Sequence, residues 1–234
     1  MANREISSIG EMKNGEYHLR GTPITTLIGE ADFICAMWLA WTGFAPEEKT
    51  KRLLAACLVA AVDHGAAPPS AAVARIVASC GKPLADAVAA GLLTLGSRHG
   101  NAASAASAWL SECLLRGESP DVIAQRAIES KQRLAGLGHP EYDVDPRAVK
   151  LFEIAKTTLS ATRHIDLILR VSACLSELKE KPLPVNVDGA IGAIVADLGI
   201  PSDLADAIFI TARTVGLLAH ARDEMGRSAS YRRG

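Results

Sequence analysis

Proline and its capping partners cut this chain into apolar segments of helical length, and that punctuation constrains the fold more than any other feature. Ser119-Pro120-Asp121 supplies an N-cap, a proline at the first helical position and an acid in the first turn. The spacing predicts a helix from there to Gly136, which suits a C-terminal stop. Asp145-Pro146 repeats the start signal before a helix over 148–159. Pro83 opens one over 84–95 that stops at Gly96, and Pro201-Ser202 opens a long one reaching about Met225. Segments 50–62, 70–79, 102–116 and 163–179 carry a helix-compatible period. Only residues 16–20 suggest extended structure, and strands do not alternate with helices, so no parallel sheet is expected. The pattern predicts an all-α protein.

Composition narrows the function. Of 234 residues, 49% are hydrophobic and only 4% aromatic, so Ala, Leu, Val and Ile must build the core of one domain or two tightly joined lobes. Segments 53–61 and 83–95 are apolar nearly all round; they should be buried, and an oligomer interface would cover part of them. With 25 basic against 26 acidic residues, the chain lacks the electrostatic footprint of a nucleic-acid binder and the charge of a disordered one. Apolar runs such as 53–62 fall short of the roughly 20 residues of a membrane span. Residues 1–13 hold no apolar core of a secretory signal. The five cysteines are widely spread with no C-x-x-C pair, which predicts reduced core thiols in a cytoplasmic protein. Metal-ligand spacing and a Gly-x-Ser-x-Gly elbow are both missing, and Gly136-x-Gly138 lacks the context of a phosphate loop. Residues 228–234, with Arg232 and Arg233, read as a tail.

The chemistry-bearing residues sit where helices meet loops: Asp63-His64-Gly65, Ser97-Arg98-His99-Gly100, Gly136-Leu137-Gly138-His139, Asp145-Pro146-Arg147 and Asn186-Val187-Asp188-Gly189. Arg213 interrupts the apolar run 208–218. Taken singly, each reads as a cap or a solvated residue, and Arg213 as an arginine reaching solvent past its stem. Taken in order, together with Leu19-Arg20-Gly21, the stretches 74–79 and 91–96, and Ala212-Arg213-Thr214-Val215-Gly216 running to His220, they resemble the citrate synthase superfamily over about residues 19–224. Within it the chain is similar to the citryl-CoA lyase branch, which includes the C-terminal module of ATP-citrate lyase. Residues 91–96 and 186–192 (NVDGAIG) and the shorter length favour that branch, whereas His99 stands where synthases carry their Leu-His-Gly histidine.

The resemblance implies a two-lobed helical homodimer, with a large lobe of about 1–100 and 189–234, a small lobe of about 101–188, and the site in the cleft near His99 and Asp188. It implies a carbon–carbon lyase that cleaves citryl-CoA to acetyl-CoA and oxaloacetate. His139 would take the proton of the tertiary hydroxyl, His99 would donate to the thioester oxygen, and Asp188 would serve the acetyl carbon. His64, Arg147 and Arg213 would hold carboxylates, arginine being suited to bidentate pairing. Backbone groups of Gly136, Leu137 and Gly138 would hold coenzyme A, which enters as a substrate thioester; no metal or further cofactor is implied. Family members often carry basic residues just after the Gly-x-Gly-His, but here Pro140, Glu141, Asp143 and Asp145 occupy that loop, so coenzyme A must find other cations or bind weakly. An arginine from the second subunit is also expected, with Arg227, Arg232 and Arg233 as candidates. His164 and His220 are read as structural. Two alternatives stay open: a citrate or 2-methylcitrate synthase using the same residues in reverse, and a non-catalytic relative that binds coenzyme A or a polycarboxylate. No nucleic-acid or membrane partner is expected.

Overall fold

The computed structural model describes residues 9–96, 99–100 and 102–227; Ser97, Arg98, Arg232 and Arg233 therefore lie outside the described residues. The chain divides into two compact units, one up to Ala55 and the other from Ala56. In the first unit, β1 (Gly10–Lys13), β2 (Glu16–Leu19) and β3 (Thr22–Pro23) form an antiparallel sheet in chain order, with Glu11 opposite His18 and Leu19 opposite Thr22. The turns between them, Asn14-Gly15 and Arg20-Gly21, have positive φ at both residues, which matches the twist of two-residue hairpins. The extended hint over 16–20 is thus the middle strand of a small sheet, and the fold is mostly rather than wholly helical. Helix α1 (Ile24–Glu30) and helix α2 (Phe33–Thr42) follow; Asp32 caps α2 by accepting from Cys35 N at 2.9 Å, and Gly43 ends it at φ 84°. Helix α3 (Glu48–Ala61) contains the division between the units.

The second unit holds α4 (Pro69–Ser79), α5 (Leu84–Leu92), α6 (Ala103–Leu115), α7 (Pro120–Glu129), α8 (Pro146–Thr158), α9 (Arg163–Leu178), α10 (Val187–Asp197) and α11 (Asp203–Arg227). The caps work as the sequence indicates: the Ser119 side chain accepts from Val122 N, and Asp145 accepts from Arg147 N. Two ends differ. Helix α7 stops at Glu129 rather than running to Gly136, because Lys131 takes φ 53° while Gln132 N donates to Ala127 O and Lys131 N to Ile128 O. That is a Schellman stop built on lysine instead of glycine. Helix α5 stops at Leu92, where Thr94 N and Leu95 N donate to carbonyls three residues back; Gly96 instead pairs with His99 through both backbone groups.

Helix α10 is buried over most of its length and packs on α6, α8, α9 and α11. Gly192 permits the α6 contact, since a Cβ there would lie 2.5 Å from Ala103 O and 2.9 Å from Ala106 Cβ. Helix α11 packs on α4, α5 and α6. Its length and a mean hydropathy of 1.3 would suit a bilayer span. Its buried face, however, carries Arg213 and Glu224, and Glu224 is paired with Arg75 of α4 at 3.0 Å. Its apolar character serves packing. Burial is less complete elsewhere than composition suggests: Val59 is 75% and Leu93 86% exposed. Among the thiols only Cys57 and Cys113 are buried, while Cys80 is exposed at the end of α4.

Gly192→Ala should destabilise the fold by about 1–3 kcal/mol, the usual cost of overpacking, and should lower the calorimetric melting temperature. Gly226→Ala, where a Cβ meets nothing within 4 Å, should leave it unchanged or slightly raised.

Candidate active site

The six polar side chains singled out in the sequence, His64, His99, His139, Arg147, Asp188 and Arg213, line one cavity of about 540 Å³ within the second unit. Each arrives from a different local device. His64 follows the end of α3. Asp63, before it, accepts from His220 Nε2 at 2.8 Å and from Gly65 N at 3.1 Å. Burial pushes Asp63 up, but these hydrogen bonds outweigh it and hold its carboxyl below the usual range. His220 is thereby tied to the loop that carries His64.

Arg213 lies on the buried face of α11, 1% exposed, with Nε donating to Ala61 O at 3.2 Å and the guanidinium 5.0 Å from the centre of the Phe209 ring. Burial lowers its pKa to about 10, so it stays cationic at neutral pH. It also donates to His64 Nδ1. A guanidinium can only donate, so neutral His64 carries its hydrogen on Nε2. Burial, followed by the charge of Arg213, depresses the pKa of His64 to about 3. The His64 and His99 rings stack with centroids 5.5 Å apart.

His99 is set by a residue that the sequence reading missed. Pro68-Pro69 begins α4, leaving Ser70 N among the first-turn donors without an intrahelical acceptor. It donates to His99 Nε2 at 3.3 Å, and Ser70 Oγ lies 3.0 Å from the same nitrogen. Neutral His99 is therefore left with its hydrogen on Nδ1. Burial and then Arg213 lower its pKa, and the helix N-terminus disfavours a cation in the same sense. The helix start was legible in the sequence; its partner 29 residues away was not.

His139 and Asp188 share a frame. The Gly136–Gly138 loop is laced to residues 184–186: Gly138 N donates to Pro184 O (2.7 Å), Asn186 N to Gly136 O (3.0 Å) and Asn186 Nδ2 to Gly138 O (2.9 Å). Gly136 has φ 85°, and a Cβ there would sit 2.4 Å from Gly189 Cα. No side chain fits between these backbones. Asn186 also caps α10 by accepting from Gly189 N, so the cap is Asn186 and Asp188 occupies the first turn with its side chain in the cavity. His139 Nδ1 faces Glu141 N and Tyr142 N, both at 3.1 Å, and Nε2 faces a guanidinium nitrogen of Arg147 at 3.3 Å, so both ring nitrogens look onto donors. Arg147 is gripped by Asp145, with Nε to Oδ1 at 3.0 Å and a second guanidinium nitrogen to Oδ2 at 2.8 Å.

Burial raises the pKa of Asp188 to about 6; Arg213 and Arg147 oppose the shift, and Asp206 and Asp145 reinforce it. Asp188 Oδ1 and His64 Nε2 are buried without a hydrogen-bond partner, and no other described side-chain atom shares that condition. Buried polar groups are nearly always satisfied, so an orphaned acceptor and an orphaned donor in one cavity mark a place for a ligand.

Of the backbone set Gly136, Leu137 and Gly138, Leu137 and Gly138 line an adjoining cavity of about 520 Å³, and Gly136 is taken up by the contact with Gly189. That second cavity also presents Arg133, Lys179 and Lys181, cations that lie outside the motifs used to read the sequence. The acidic loop needs correction too. Asp145 is buried and neutralised by Arg147, so only Glu141 and Asp143 are exposed acids there. Among the described residues no cluster of three metal-ligating side chains occurs.

A mostly helical fold thus converges three histidines, two arginines and a buried carboxyl on one cavity, a set of donors and acid–base groups able to bind a carboxylate-bearing ligand. The chain belongs to the citrate synthase family: residues 37–233 match the family described as "Citrate synthase, C-terminal domain". It is 35% identical to the structure of citryl-CoA lyase from Hydrogenobacter thermophilus, covering 99% of this chain and 91% of that one with a TM-score of 0.91. The fold is shared with ATP citrate lyase from Methanosaeta concilii, solved in complex with (3S)-citryl-CoA (22% identity, 100% of this chain and 41% of that one, TM-score 0.91). A probable ATP-citrate synthase of Dictyostelium discoideum is 28% identical over 94% of this chain and 38% of its own length. The chain thus spans between about a fifth and two fifths of the length of the curated relatives it matches.

Asp188 yields a pH test. Its folded pKa of about 6 lies above the ordinary value of 3.8, so the folded state holds the proton more tightly, and stability falls as pH rises through 6. Asp188→Asn should therefore melt higher than the parent at pH 7.5, by an equivalent of about 1–3 kcal/mol. The advantage should shrink through pH 6 and vanish near pH 4 in melts recorded across that range.

Proposed function

We propose that this protein is a citryl-CoA lyase, cleaving citryl-CoA to acetyl-CoA and oxaloacetate. The observation that carries this reading is the pair of orphaned buried atoms, His64 Nε2 and Asp188 Oδ1, in a cavity that also holds Arg147 and Arg213. The first suits a carboxylate oxygen, and the second suits a carbon that must gain or lose a proton. Similarity to the Hydrogenobacter thermophilus lyase over nearly the whole chain supports the same assignment.

In the tautomer with its hydrogen on Nδ1, His139 presents the Nε2 lone pair, toward which Arg147 points, to the tertiary hydroxyl, taking its proton in cleavage and returning it in condensation, with Arg147 beside it to favour the alkoxide. As the C–O bond becomes a carbonyl, the electrons of the breaking C–C bond move into the thioester. The resulting enolate oxygen accepts from His99 Nδ1, whose ring is held by Ser70. Asp188 in its acid form protonates the new methyl carbon and leaves as carboxylate. The proton gained by His139 and the one lost by Asp188 exchange with water after release. A pKa near 6 keeps both forms of Asp188 accessible near neutrality, which suits an acid–base group. His64, Arg147 and Arg213 hold the carboxylates of oxaloacetate.

Coenzyme A lies over Leu137 and Gly138 in the adjoining cavity, with Arg133, Lys179 and Lys181 facing its phosphates in place of the cations missing after His139. Closure of segment 101–188 over His64, His99 and Arg213 would exclude water from the enolate. A cytoplasmic homodimer completes the proposal; exposed Val59 and Leu93 are apolar surface a second copy would cover.

Purified protein given citryl-CoA should release oxaloacetate, read as NADH loss with malate dehydrogenase. His139→Ala and Asp188→Ala should each cut turnover by at least about 10²-fold with the fold retained by circular dichroism. Unchanged turnover in both would sink the site assignment. Citrate formed from acetyl-CoA and oxaloacetate, with no cleavage, would mark the synthase direction instead. Lys181→Ala should raise KM for citryl-CoA, most at low ionic strength and less as salt screens the lost contact, while kcat is little changed.

A further inference from the structure

We propose that Asp145 is a positioning residue: it aims Arg147 into the cavity and fastens that arginine to the start of the helix that carries Asp188. Its side chain is 0% exposed, and both carboxylate oxygens are fully employed. Oδ1 accepts from Arg147 N and Nε, both at 3.0 Å; Oδ2 accepts from the Arg147 guanidinium at 2.8 Å and from Val187 N at 3.1 Å. The sequence motif marks Asp145 as a helix cap, and it does cap α8. A cap needs one acceptor for a backbone N–H; serine or asparagine would do as well. What a cap does not need is the two-pronged hold on the following arginine, or the bond to Val187, 42 residues on and adjacent to Asp188.

The fork has a chemical purpose. An arginine in the first turn of a helix faces the positive end of the macrodipole, and a flexible stem would let it swing to solvent. Asp145 offsets that repulsion. It also uses Nε and one terminal nitrogen of the guanidinium, leaving the remaining N–H groups for a ligand carboxylate. Because the same carboxylate accepts from Val187 N, Arg147 and the first turn of α10 are held to one another. Burial alone would push Asp145 up; the Arg147 hydrogen bonds and charge more than offset it and hold the carboxyl below its ordinary range.

This inference rests on the reading of Arg147 as a carboxylate binder, and its test uses binding so that it stands apart from turnover. Calorimetric titration of the full chain with citrate and, separately, with coenzyme A would be run on the parent, Asp145→Asn, Asp145→Ser, Arg147→Gln and the double variant Asp145→Asn/Arg147→Gln. Serine retains a capping oxygen while removing the fork. Asp145→Asn and Asp145→Ser should weaken citrate about tenfold or more, as expected when a charged hydrogen-bond partner is lost. Coenzyme A affinity should hold within about twofold, a selectivity that general loosening of the fold would not give. In the Arg147→Gln background the Asp145 change should add little, the mark of two residues acting as a unit. In the coupled assay KM for citryl-CoA should rise more than kcat falls. Unchanged citrate affinity, equal loss for both ligands, additive losses in the double variant, or failure of both Asp145 variants to fold would each overturn the proposal. Citrate binding by the parent without citryl-CoA turnover would sink the lyase reading and leave this one standing.

Discussion

The approach of two backbones, at Gly136 and Gly189, is the constraint on which the site depends. A Cβ at Gly136 would lie 2.4 Å from Gly189 Cα, and one at Gly189 would lie 2.3 Å from Gly136 O, distances at which no side chain can be accommodated. Hydrogen bonds from Gly138 N, Asn186 N and Asn186 Nδ2 then lace the two segments together. His139 follows one segment and Asp188 stands in the other. The two groups that the proposed mechanism sets at opposite ends of one breaking bond are thus carried on a single backbone frame. Productive geometry within about half an ångström is what such chemistry requires.

The second organising element is α11, which brings Arg213 into the interior. A buried arginine is costly unless its donors are used. Here Ala61 O, His64 Nδ1 and the face of Phe209 take them up. Burial is the main cause of the shifts at His64, His99 and Asp188; the charge of Arg213 adds to the lowering of the two histidines and opposes the upward shift of Asp188. One residue therefore bears on the electrostatics of three others. The tie between Asp63 and His220, about two turns further along α11, keeps the His64 loop against the same helix.

Much of this was legible in the sequence, for reasons that can be named. Helix starts were readable because proline and the capping residues act locally: Ser119 and Asp145 cap the helices their motifs announce. Helix ends were less so. A Schellman stop depends on backbone conformation, and Lys131 adopts it where a glycine would have been recognised. The cavity residues interrupt apolar or glycine-rich runs, but singly each read as a cap or a solvated residue; it was their order, through the family resemblance, that made them a set. Their partners were not: Ser70 reaches His99 across 29 residues and Asp145 reaches Val187 across 42, and no periodicity encodes such pairings. Arg133, Lys179 and Lys181 look like ordinary solvated charges along the chain; only folding puts them around one cavity.

The three histidines follow a common logic. Each has one ring nitrogen facing a group that can only donate: Arg213 for His64 Nδ1, Ser70 N for His99 Nε2, and two backbone N–H groups for His139 Nδ1. In neutral His64 and His99 the hydrogen must then sit on the other nitrogen, whereas the second nitrogen of His139 also faces a donor, Arg147. The cavity is accordingly furnished with two imidazole N–H donors, two guanidinium groups and a carboxyl whose pKa of about 6 lets it hold a proton. Among the described residues its one orphaned buried acceptor is Asp188 Oδ1. A surface so rich in donors has little use for a cationic or simply apolar ligand. It complements a molecule with several carboxylates and an oxygen that gains negative charge as a bond breaks, and in a water-poor interior such preformed donors act at their strongest.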